Sequence, residues 1–134
     1  MENLTGYGIL RMSHATGGKT LETFDIARKA VDVASDKQAG NIVLLDVRGI
    51  CSFTDYFVIC TGESERQLRT ILEETRKVLK DAGVRPHHEE GEADSGWMLI
   101  DYGDVVIHIF GAEERDYYDL DGLWSDGVPV IRMQ

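Results

Sequence analysis

The sequence predicts a mixed β-sheet flanked by helices, an α+β or α/β fold in the order α-β-β-α-β-β-α. Three observations carry this. Two stretches repeat apolar residues at helical spacing, as amphipathic helices do. Two short apolar runs between them, rich in branched residues, have the look of buried strands. Residues 97–110 form an apolar segment interrupted by a tight turn at Asp101–Tyr102–Gly103–Asp104 and read as a hairpin.

The first helix spans 20 to about 39, with Leu21, Phe24, Ala27, Val31 and Ala34 on one face. Glu22, Asp25, Arg28, Lys29 and Asp32 are left mostly for water, and Gly40 is the expected stop. Residues 42–47 form a strand, 48–55 a connector, and 56–60 a second strand closed by Cys60. Ser64–Glu65–Arg66–Gln67 then has capping-box form, in which a hydroxyl and an amide each satisfy a free backbone N–H. Leu68, Ile71, Leu72, Thr75, Val78, Leu79 and Ala82 follow at helical spacing, and Gly83 supplies the C-terminal stop. Residues 86–96 read as a polar loop carrying Glu89, Glu90, Glu92 and Asp94. After the hairpin, a short helix is expected near 112–123. An edge strand at 128–133 would tolerate Pro129. The expected organisation is a flexible leader over 1–19, one domain over 20–126 and a C-terminal tail over 127–134.

With 134 residues, the chain is long enough to bury a core without staples. No apolar run approaches the ~20 residues of a membrane span. Two cysteines, Cys51 and Cys60, do not suggest a secreted disulfide framework, and a reduced, cytoplasmic setting is expected. The charge is uneven. Residues 1–86 hold twelve acidic and twelve basic side chains, whereas 87–126 hold twelve acidic ones against Arg115 alone. The formal charge of −10 is therefore local to the hairpin and its surroundings. Such a surface repels phosphate backbones and attracts basic proteins, so direct nucleic-acid binding is not expected.

The hairpin can be read face by face. With Tyr102–Gly103 as a two-residue turn, Asp101 lies opposite Asp104, Leu99 opposite Val106 and Trp97 opposite His108. One face then carries Met98, Ile100, Val105, Ile107 and Ile109 and belongs to the core. The other carries Trp97 and Leu99 between an acidic rim and Phe110. This fits a binding hot spot in which a partner's Lys or Arg relieves the facing carboxylates. The alternative is that Trp97 and Leu99 pack beneath a helix on the sheet's second face.

Chemistry has fewer candidates. His87–His88–Glu89–Glu90 lacks the further ligands of a metal site. His108 has no evident nucleophile beside it and reads as a packing or interface histidine. Thr61–Gly62–Glu63–Ser64, between strand and helix, has the outline of a nucleotidyltransferase phosphate turn. That chemistry wants two carboxylates two residues apart on one strand face, whereas Asp101 and Asp104 flank a turn, and Glu63 sits where phosphate must go. Neither catalytic, cofactor-binding nor metal-binding residues are assigned. A nucleotide-binding transferase-like enzyme built on Gly62, Ser64, Asp101 and Asp104 is kept as the alternative.

The runs IVLLDVRGICSFTDYFVICTGESERQL, EGEADSGWMLIDYGDVVIHIF and RDYYDLDGLW, in that order, resemble the ribosomal silencing factor family, the bacterial relatives of plant Iojap. The resemblance covers about residues 20–125. It implies a sheet flanked by helices, related in outline to nucleotidyltransferases without their catalytic carboxylates. It also implies binding to the large ribosomal subunit through its small basic protein fourteen, blocking the small subunit and lowering translation in starvation. A homodimer is compatible with it. Carried over by motif, the contact surface is Trp97, Leu99, Asp101, Tyr102, Asp104 and His108, with Glu114, Asp116 and Tyr118 as secondary contacts.

Overall fold

The computed structural model describes residues 22–134, so the expected leader lies outside the described residues. The elements run α1 (Thr23–Asp36), β1 (Gly40–Asp46), β2 (Tyr56–Gly62), α2 (Glu65–Asp81), β3 (His88–Glu90), β4 (Trp97–Asp101), β5 (Val105–Gly111), α3 (Ala112–Tyr118), α4 (Leu120–Leu123) and β6 (Val128–Met133). One six-stranded sheet has the order β3-β4-β5-β2-β1-β6. Among the described residues only β2 and β5 pair in parallel, and the other neighbour pairs are antiparallel. The expected mixed sheet with flanking helices is therefore present, but the element order differs. The polar loop contains β3 and a 3-10 turn at Ala93–Ser95, and the last helix is broken in two at Asp119, whose φ is +46°. The expected edge strand is there: residues 127–134 hold β6, paired along β1.

Both long helices end by the same device. In α2, Gly83 takes the left-handed position, and Val84 N–H reaches back to Leu79 O at 2.8 Å. In α1 the corresponding residue is Gln38 at φ +64°, with Ala39 N–H on Ala34 O, so the helix stops before Gly40. Ser64 caps α2 by accepting from Gln67 N–H at 3.0 Å.

The two faces of the sheet are filled differently. On one, α1 and α2 bury a cluster that includes Ala27, Val31, Leu44, Val58, Ile71, Leu79 and the hairpin residues Met98, Ile100, Val105, Ile107 and Ile109. These five are the residues assigned to the core from alternation. On the other face Val43, Leu45, Val47, Phe57, Ile59, Val106, Phe110 and Leu120 cluster, with Trp97, Leu99 and Trp124 only partly buried against them.

Candidate docking face

The hairpin turn is Gly103–Asp104, closed by Tyr102 N–H on Val105 O at 2.8 Å. Gly103 takes φ +90°, and Asp101 accepts from its N–H at 2.7 Å. This corrects the register expected from a Tyr102–Gly103 turn. Trp97 lies opposite Phe110, Leu99 opposite His108 and Asp101 opposite Val106. Each partner moves by two residues, so the side-chain faces are preserved; a shift of one would have exchanged them. Asp101 and Asp104 do not oppose each other, and the carboxylate repulsion expected there is absent. Asp104 is exposed at the turn, and its carbonyl receives Asp55 N–H and Tyr56 N–H.

Trp97 does not stand free toward solvent. It is half-buried, its ring stacked on Phe110 at 5.1 Å between centroids and tilted against Tyr118 of α3 at 4.4 Å. The alternative of packing beneath a helix is thus partly realised. Cover is incomplete, however: Tyr118 is 45% exposed and Tyr117, edge-on to it at 5.0 Å, is 81% exposed. Leu99 is also half-buried.

His108 lies between these rings. Its Nδ1 accepts from Trp97 Nε1–H at 3.2 Å, which places the imidazole proton on Nε2. Burial pushes its pKa down to about 4, so the ring is neutral at physiological pH. Phe57 adjoins His108 at 5.3 Å and Trp124 at 5.3 Å, and Phe53 meets both Phe57 and Trp124. The result is a continuous series of ring contacts across the second face, from Tyr117 to Phe53, which is 64% exposed. Phe53, Phe57, Tyr117 and Trp124 were not among the residues predicted from sequence.

Other predicted contact residues sit elsewhere. Tyr102 is buried in the helix-covered cluster on the opposite face, because it is in phase with Met98 and Ile100. Burial and the nearby negative Glu89 push its hydroxyl up to about 12. Glu114 turns back over the hairpin base, where a Cβ on Gly96 or Gly111 would meet its carboxylate. Asp116 is exposed and lines a groove with Asn41, Arg115 and Arg132. Arg115 itself is buried. It donates to Asn41 O at 2.7 Å, to Thr61 Oγ1 at 2.8 Å and to both oxygens of Asp121, tying α3 and α4 to the ends of β1 and β2. This guanidinium holds the Asp121 carboxyl below its ordinary value.

The turn before α2 is occupied from within. Gln67 Oε1 accepts from Glu63 N–H at 2.7 Å, while its Nε2 donates to Lys37 O and Gln38 O. A Cβ at Gly62 would meet Leu68 at 2.7 Å. The backbone N–H of Glu63, held by Gln67 Oε1, and that of Gln67, held by Ser64 Oγ, are thus engaged where a phosphate would need donors. His88 pairs with Glu90 at 2.6 Å, and among the described residues no group of three or more His, Cys, Asp or Glu is placed to hold a metal. No helix among the described residues is long and apolar enough to cross a membrane.

Residues 20–134 match the family model described as ribosomal silencing factor during starvation. The chain is 39% identical over 110 residues to the ribosomal silencing factor RsfS of Halalkalibacterium halodurans, spanning 82% of this chain and 93% of that one. A crystal structure of a Chromobacterium violaceum protein, 33% identical, superposes with a TM-score of 0.75 over 78% of this chain and 88% of its own. The chloroplastic Iojap protein of Zea mays is 30% identical over 81% of this chain and 47% of its own length. Mouse mitochondrial assembly of ribosomal large subunit protein 1 is 33% identical over 71% of this chain and 43% of its own.

Proposed function

This chain belongs to the ribosomal silencing factor family, and we propose that it silences by occupying the large subunit's joining face. Membership makes ribosome silencing, a regulatory rather than a known enzymatic activity, its role. In the proposed mechanism the second sheet face docks on the large subunit through the small basic ribosomal protein fourteen. The body of the molecule then stands where the small subunit must sit, and translation falls during starvation. No covalent chemistry and no direct RNA contact are involved, and the setting is the cytoplasm.

The observation that carries this reading is the incompletely covered aromatic face at Trp97, Tyr118 and Tyr117, on a chain of formal charge −10. Aromatic rings supply large contact area at low entropic cost, and exposed apolar patches of this kind mark interaction sites. The surrounding charge is repelled by RNA but attracted by a cationic protein, which speeds encounter. The name of the mouse relative, which refers to assembly of a ribosomal large subunit, supports the choice of subunit.

Trp97→Ala is expected to weaken co-sedimentation with purified large subunits by ~2 kcal/mol or more. The companion measurement loads large subunits with the protein and then adds small subunits. Unimpaired joining at saturating protein would overturn occlusion, and wild-type binding by the Trp97 variant would overturn the assigned face. Light scattering before and after adding large subunits separates docking from self-association through the same face. The transferase alternative is tested by calorimetry with ATP and magnesium, where a silent titration is expected because Gln67 fills the turn.

A further inference from the structure

His108 has a feature that packing alone does not explain. It is 5% exposed, on the central strand β5, with Ile59 beside it on β2 and Leu99 on β4. Phe57, Phe110 and Trp97 all lie within ring-contact distance. Among the described residues its buried Nε2 has no hydrogen-bond partner. A buried N–H left unpaired costs stability, and a phenyl ring fits an aromatic cluster without that cost. The imidazole does one thing that a phenyl ring cannot: its Nδ1 accepts the indole N–H of Trp97 at 3.2 Å.

That acceptor matters for docking because of where Trp97 sits. Stacking on Phe110 and the tilted contact with Tyr118 restrain the plane of the indole, but a flip about χ2 keeps that plane and exchanges the ring's edges. A directed hydrogen bond fixes which edge points inward, and so which edge the half-exposed ring shows a partner. We infer that His108 is a positioning residue, which locks the Trp97 indole in one orientation for docking and does so at a cost to the stability of the fold. The inference rests on the assignment of the Trp97 face as the docking surface.

Two variants separate the roles. His108→Phe keeps the ring and removes the acceptor. It is expected to unfold in urea at the same concentration as wild type or higher, yet to bind large subunits roughly three- to tenfold more weakly, the worth of one hydrogen bond. His108→Asn loses bulk but places Oδ1 near the former Nδ1. It is expected to be less stable and, below its melting temperature, to bind more tightly than His108→Phe. Nitrogen-15 labelling of tryptophan, in a Trp124→Phe background, should show the single indole N–H resonance shifted in His108→Phe and near its wild-type position in His108→Asn. A purely structural histidine would make binding follow stability across both variants, and that result overturns the inference. If His108→Phe binds as wild type while Trp97→Ala does not, positioning fails and the docking face stands. If Trp97→Ala also binds as wild type, the face itself is wrong.

Discussion

The two faces of the sheet share the same strands but differ in what covers them. One lies beneath α1 and α2, of 14 and 17 residues; the other beneath α3 and α4, of seven and four. The long helices bury an almost wholly aliphatic cluster, in which Ile100, Val105 and Ile109 have no exposed surface. The short ones leave aromatic rings part-covered, from Tyr118 through Trp97 to Trp124. Apolar side chains alone therefore do not distinguish a core from a docking face. Length of cover differs between them, and the incompletely covered side is the one proposed to dock.

The largest expected effect tests the sealed side. Ile107→Ala, at 2% exposure, should cost about 2–5 kcal/mol in urea unfolding, while the folded fraction still binds large subunits as wild type does. Loss of affinity per folded molecule would merge the two faces into one functional unit.

Next comes acid sensitivity on the open side. His108 is held at a pKa of about 4 by burial, whereas the unfolded chain protonates it near its ordinary value of 6.5. The unfolded state takes up the proton first, so this group destabilises the fold as pH falls from about 6.5 to about 4, by on the order of 3 kcal/mol in all. His108→Phe should flatten that limb of the stability–pH curve. An unchanged limb would assign the acid sensitivity to other groups.

Tyr118→Ala removes the half-exposed ring that lies tilted against Trp97 at 4.4 Å. A loss of about 1–2 kcal/mol in large-subunit affinity is expected, against less than about 1 kcal/mol in stability. The reverse ranking, in an unfolding titration beside a binding curve, would make α3 a lid over the core. The smallest effect belongs to the exposed turn. Asp104→Asn should weaken binding less than about threefold and flatten its dependence on salt. An undiminished salt slope would move the electrostatic contribution elsewhere.

Much of this contrast was legible in the residue order, for identifiable reasons. Hairpin faces survived a misplaced turn because the error moved partners by two residues, and side chains alternate with a period of two. Ser64 and Gly83 announced their roles because capping is local, whereas the Gln67 side-chain amide goes to Glu63 N–H and to Lys37 O and Gln38 O across the fold. β3 was missed because His88–Glu90 has no apolar alternation; it is held by backbone pairing to β4 and by the Arg76–Glu89 ion pair. Tyr102, placed in the turn and carried over to the contact surface by resemblance, is instead buried among the helix-covered cluster, since it continues the phase of β4. Phe53 and Trp124 escaped notice because they lie outside any periodic segment and meet only through the folded chain, more than seventy positions apart.

Arg115 has a consequence for kinetics. Its guanidinium straps α3 and α4 to the strand ends, which holds in place the backbone that carries Tyr117 and Tyr118. On the proposed docking, less backbone ordering is then left to lose at encounter, and the expected rate follows diffusion and charge more than a search among shapes. A brake built as proposed would engage as fast as it meets its target, and its abundance in the cell would act as the throttle.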